Sequence, residues 1–151
     1  MTTTVDRSSR QRGTVLADDA CPQCGTMMKE SRGELAYPVN GQDVRVASTS
    51  HLRCPQCGEV VLRHEEARRL RENAFERYRK EYGLLSATDI RSIRERFGLT
   101  QDAFAQLLRL GSNTISRWES GRTVQTAALD VLLRLIRDLP GSLDYLRKNA
   151  A

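Results

Sequence analysis

The hydrophobic period of the chain changes once, near residue 63. Leu35, Tyr37 and Val39 fall on alternate positions, Asn40-Gly41 interrupts, and Val44 and Val46 resume the alternation. Alternation marks a strand with one covered face, and Asn-Gly is the dipeptide best suited to a two-residue type I′ hairpin turn. The turn fixes the register. Val39 faces Gln42, so Tyr37 falls opposite Val44 and Leu35 opposite Val46, all on one face. From residue 63 to 82 the spacing becomes three and four, through Ala67, Leu70, Ala74, Tyr78 and Tyr82, and Gly83 is placed as a stop. Glu65 with Arg69, and Glu76 with Lys80, stand at i,i+4 in the favourable order. Such a helix is ~30 Å long, enough for a connector that sets the distance between two modules.

Shorter helical units follow at residues 88–97, 101–108, 112–119, 126–138 and 142–148. Ile90, Ile93 and Phe97 make the inner stripe of the first. Thr100 is placed as N-cap of the second, from which Phe104, Ala105 and Leu108 point inward. Leu110-Gly111 breaks that helix, and Ser112 is placed to cap the third, with Ile115 and Trp118 as its buried pair. Leu129, Leu132, Leu133 and Ile136 offer more apolar surface than one small domain need bury, so the last two helices are expected to join two copies. Residues 1–19 are Thr-, Ser- and Arg-rich without any hydrophobic period and read as a disordered tail.

The cysteines divide the chain further. All four lie in Cys21-Pro-Gln-Cys24 and Cys54-Pro-Gln-Cys57, with 29 residues between the pairs. No secretory signal and no apolar run near the roughly 18 residues of a membrane span is present, so a soluble cytoplasmic protein is expected. Thiols stay reduced there, and short-spaced pairs are metal ligands rather than disulfides. Cys21, Cys24, Cys54 and Cys57 have the form of a four-thiolate zinc site, each pair on a tight turn and the hairpin bringing the turns together. Gly25 and Gly58 follow each second cysteine, where a positive φ suits such a knuckle. Iron accepts the same ligands, but a tetrahedral four-cysteine set favours one structural zinc. A segment of about 45 residues with few large side chains also needs metal for stability.

Four cysteines close the coordination sphere, whereas catalytic zinc keeps a position open. His51 and His64 lack ligand spacing and read as surface residues. With no Ser/His/Asp set, carboxylate pair or phosphate loop, the chain is not expected to be an enzyme. The fold class expected is two-domain α+β: a zinc-stabilised hairpin domain (residues 20–62), a linker helix (63–83), and an all-α five-helix domain (84–151).

The formal charge is +5 and the pI about 9.3. Residues 1–20 and 21–62 are each neutral, residues 63–83 carry +2 and residues 84–151 carry +3. The surplus lies in the helical part, compatible with a polyanionic partner. Two short helices joined by a tight turn present the second to a DNA major groove. On it Asn113 and Arg117 share a face opposed to Ile115 and Trp118. Asn can pair with adenine and Arg with guanine, while solvation alone is the alternative role for both. Gln101, Ser112, Thr114, Ser116 and Arg122 suit phosphates.

The segment LTQDAFAQLLRLGSNTISRWESGR resembles the XRE/Cro-like helix-turn-helix family. The whole order of C-x-x-C, hairpin, C-x-x-C-G-E, helix and that segment resembles the MqsA, or YgiT-type zinc-finger, antitoxins of bacterial type II toxin–antitoxin systems, over residues 21–151. The resemblance implies a zinc domain that neutralises an mRNA-cleaving ribonuclease toxin. It also implies a C-terminal domain that dimerises and represses its own operon. Asn113-Thr-Ile-Ser116-Arg117 matches the family's base-reading N-x-x-S-R, and the four cysteines match its zinc ligands. The twenty residues before Cys21 depart from the family pattern. The alternative is an XRE-family regulator whose zinc module serves another protein and which has no toxin.

Overall fold

The computed structural model describes residues 19–149. The tail expected at residues 1–18 lies outside them. Two long strands, β1 (Lys29–Val39) and β2 (Gln42–Arg53), form an antiparallel hairpin, and a short β3 (Val60–Val61) pairs with the end of β2. Helices follow at α1 (His64–Glu81), α2 (Ala87–Arg96), α3 (Gln101–Leu107), α4 (Thr114–Glu119), α5 (Ala127–Asp138) and α6 (Ser142–Asn149).

The hairpin register is the one the alternation implies: Val39 opposes Gln42, Tyr37 opposes Val44 and Leu35 opposes Val46. Asn40 and Gly41 both have positive φ, as the turn requires. The strands continue well past the alternating stretch, because a bulge between Gly33 and Leu35 shifts the register and reverses the parity of β2. Ser48, at φ 54, absorbs the extra residue. Beyond it Thr49 and His51 are buried, as Val44 and Val46 are before it. His51 is therefore not the surface residue its isolation in the sequence implied. It is 4% exposed, with Nδ1 3.0 Å from the Thr49 carbonyl oxygen.

α1 does not hold two modules apart. It lies on the hairpin, and Leu70, Ala74, Phe75 and Tyr78 share a core with Val39, Val44 and Val46. Phe75 meets the edge of Tyr37 with ring centres 5.9 Å apart, a geometry that adds ~0.5–1.5 kcal/mol to burial. Val124, from the loop between α4 and α5, completes this core. A second core lies among α2–α6, built on Ile90, Ile93, Phe104, Ile115, Trp118, Leu133 and Ile136.

The two cores are fastened at that loop. Arg79 Nη2 donates to the Thr123 carbonyl (3.2 Å) and Asn40 Nδ2 to the Gln125 carbonyl (3.2 Å). Gln125, fully buried, donates to the Leu85 carbonyl (2.8 Å) and to Asp130 Oδ1 (3.1 Å). Asp130 also accepts from the Leu85 amide (2.8 Å) and from Arg134 Nε (2.7 Å). Among the described residues none forms a helix long and apolar enough to cross a membrane.

Candidate functional site

The sulfur cluster is built by two equivalent turns. The Gly25 amide donates to the Cys21 carbonyl (2.9 Å) and the Gly58 amide to the Cys54 carbonyl (3.1 Å). The Cys21 and Cys54 amides donate onward to the carbonyls of Thr26 and Glu59 (2.9 Å each). Gly25 and Gly58 have φ of 73 and 78, in the left-handed region where a Cβ is strained. Each turn contributes one buried cysteine, Cys21 or Cys54, and one exposed, Cys24 or Cys57. The four sulfurs lie within 4.8 Å of one another, with separations of 3.5 Å for Cys21–Cys57, 3.5 Å for Cys24–Cys54 and 3.7 Å for Cys24–Cys57. Thiolates at the corners of a tetrahedron around zinc stand ~3.8 Å apart, from a Zn–S bond of about 2.3 Å. The donor set and spacing fit a four-coordinate metal.

The electrostatics point the same way. The Thr26 hydroxyl, 3.4 Å from Cys24 Sγ, and the Thr26 amide bring the Cys24 thiol down to about 6. The amide of Glu59 favours the Cys57 thiolate, but the sulfurs of Cys21 and Cys54 outweigh it and push Cys57 up to about 12. One thiol is thus ready to ionise while its neighbour resists, as groups that titrate in contact do. Leu52, Met28 and Val61 pack behind the cluster and anchor it to the end of the hairpin.

At the other end of the molecule, Thr100 caps α3 through the Ala103 amide (3.1 Å). α3 ends at Leu107, and Arg109, with a φ of 55, turns the chain just beyond it, ahead of Leu110-Gly111. Ser112 does not cap α4. Asn113 occupies the N-cap position with near-helical dihedrals and makes no capping bond with its side chain. Asn113 and Arg117 are both exposed and one turn apart, while Ile115 and Trp118 are buried behind them. Ser112 and Arg122 are exposed, and Thr114 and Ser116 are half-buried. Gln101 is partly committed, since its Nε2 donates to Glu119 Oε2 (2.8 Å).

Glu119 is the residue that the sequence reasoning missed. Its side chain is 1% exposed and meets Arg94 through Nε (2.6 Å) and Nη2 (3.0 Å), with Arg91 Nε at 3.6 Å. Arg94 also donates to the Leu99 carbonyl (2.7 Å). Burial works to raise the Glu119 carboxyl, but the hydrogen bonds from Arg94 and Gln101 prevail and hold it below the usual range. The signal was present in the sequence: Glu119 stands four residues after Ile115, on the buried stripe of α4.

Residues 19–147 match the family described as the antitoxin component of bacterial toxin–antitoxin systems, MqsA. The chain belongs to the MqsA antitoxin family. Antitoxin HigA-2 of Vibrio cholerae serotype O1 is 37% identical over 62 residues, which is 41% of this chain. The chain spans 60% of the length of that relative. Membership of the MqsA family points to a non-catalytic regulator.

Proposed function

We propose that this MqsA-family protein is an antitoxin that also represses its own operon. α3 and α4 act as a helix-turn-helix, and α4 enters the major groove of a palindromic operator. Asn113 reads adenine and Arg117 reads guanine, each good bidentate pair discriminating by ~1–3 kcal/mol. Ser112, Thr114, Ser116 and Arg122 hold phosphates, together with the second amide hydrogen of Gln101. The observation that carries this reading is the division of α4: Ile115, Trp118 and Glu119 are buried, which leaves Asn113 and Arg117 outward.

Two copies join through α5 and α6 so that two α4 helices meet successive grooves. In support, Val131, Leu135, Leu139 and Tyr145 are all large, apolar and around half exposed or more. Leu135, Leu139 and Tyr145 line a hollow of about 460 Å³ together with Leu132 and Ile136. One zinc sits in Cys21, Cys24, Cys54 and Cys57, and supplies fold stability rather than chemistry. The hairpin domain so held binds and neutralises a ribonuclease toxin. The outer edge of β1, eleven residues long and without a strand partner among the described residues, supports a role in protein binding.

Electrophoretic mobility shift with the chain's own upstream DNA tests the repressor. Asn113→Ala and Arg117→Ala should each weaken specific binding by ~10-fold or more, given the loss of one bidentate pair, with unchanged melting temperature. Normal binding by both variants would show that another surface reads the DNA. Co-expression with the adjacent small reading frame tests the antitoxin: growth is rescued by the wild type, and absence of rescue leaves a regulator without a toxin.

A further inference from the structure

Between the far half of the hairpin and the first two turns of α1 lies a depression used by neither the sulfur cluster nor α4. It holds about 440 Å³ and adjoins a second hollow of about 240 Å³. Arg32, Ser50, Glu66 and Arg69 line both. Arg32 donates to Ser50 Oγ (3.3 Å) and Arg69 feels the charge of Glu65 one turn away, but among the described residues neither forms a close ion pair with a carboxylate. Its acids are engaged at one end. Arg63 faces Glu30 at 3.2 Å and Glu66 at 3.7 Å, and also Asp19 at 2.9 Å. Arg63, outside the lining, thus partly offsets Glu30 and Glu66, so within the groove a negative charge is best placed against Arg32 and Arg69.

Further polar groups complete the lining. Ser31 and Ser50 carry hydroxyls on the lining, and the ring of His51 is fixed by its bond to the Thr49 carbonyl oxygen. The size falls within the ~300–1,000 Å³ typical of small-ligand sites. Two guanidinium forks with hydroxyl groups beside them match the planar oxygens of a carboxylate or a phosphate.

We infer that this groove binds an oxyanion, gripped by Arg32 and Arg69 together. The anion has two sources, a free small anion or an Asp or Glu side chain on a partner polypeptide. The inference is independent of the toxin and of DNA.

The test is NMR of the full-length, metal-loaded chain, read at the His51 ring resonances, which report this groove and not the α4 surface. The probes are inorganic phosphate, succinate, and a synthetic Glu-rich peptide with its Gln-rich counterpart. Saturable shifts at His51 are expected with at least one anionic probe and none with the Gln-rich peptide. The peptide alone identifies a protein source, and phosphate or succinate alone a free anion. Arg32→Gln with Arg69→Gln should weaken the response ~10-fold or more, while Arg77→Gln, elsewhere on α1, leaves it intact. Glu66→Gln keeps the side-chain bond to the Arg63 amide, removes the opposing charge and should tighten binding. No response from any anionic probe, or an undiminished one in the double variant, overturns the inference.

Discussion

Glu119 follows Trp118 on the buried side of α4, where a carboxylate is stable only if its oxygens are met. Arg94 and Gln101 meet them, tying α4 to α2 and α3 at one point. Removing one partner of a buried pair costs ~3–5 kcal/mol, because the other charge is left without compensation. Glu119→Ala should therefore lower the melting temperature sharply and weaken the proposed DNA binding, although its side chain is buried beneath α4. The acid dependence has a definite sign. Folding holds Glu119 below its ordinary 4.5 and Asp130 below its ordinary 3.8. Their stabilisation is complete above about pH 4.5 and is lost as pH falls through the lower folded values. A urea titration series across this range should show stability falling toward acid, with a smaller fall in Glu119→Gln. An equal fall in both would assign the effect to Asp130 and other groups.

At the scale of elements, the exposed apolar side of α5 and α6 makes the clearest prediction. Leu135→Glu with Tyr145→Glu places charge where the second copy would sit, and sedimentation should shift from dimer to monomer while the helical circular dichroism is retained. Elements of this kind were legible because their period is long and their caps are strong. Thr100 caps as its position implies, and the hairpin register followed from one dipeptide. The start of α4 was displaced by one residue, because Ser112 and Asn113 are both good caps and only the turn at Arg109 decides between them. His51 was misplaced because a bulge leaves no hydrophobic trace: it changes which parity is covered without changing the residues. Glu119 was missed because charge argued against a position that the helical stripe otherwise marked as inward. The cysteines were legible because each C-x-x-C marks a turn and the hairpin register between them sets the two turns side by side.

On the scale of the whole molecule, the four cysteines and α4 belong to different cores. Cys21 and Cys54 pack with Met28 and Leu52, whereas Ile115 and Phe104 belong to the helical core. Chelation should therefore act locally first. In hydrogen exchange, amides near Cys21, Cys54 and Leu52 should lose protection on metal removal, while those of Ile115 and Leu133 keep theirs. Simultaneous loss in both would show that the cores unfold as one unit. Between them stands the 120–126 loop, with Val124 in the hairpin core and Gln125 in the joint. A helical half excised at residue 84 would expose Val124 to water and strand the Thr123 and Gln125 carbonyls without their donors. The chain is thus poorly divided at the point where its composition changes. A designer wishing to graft this helical half onto another sensor would have to carry α1 and the hairpin along, or rebuild the loop.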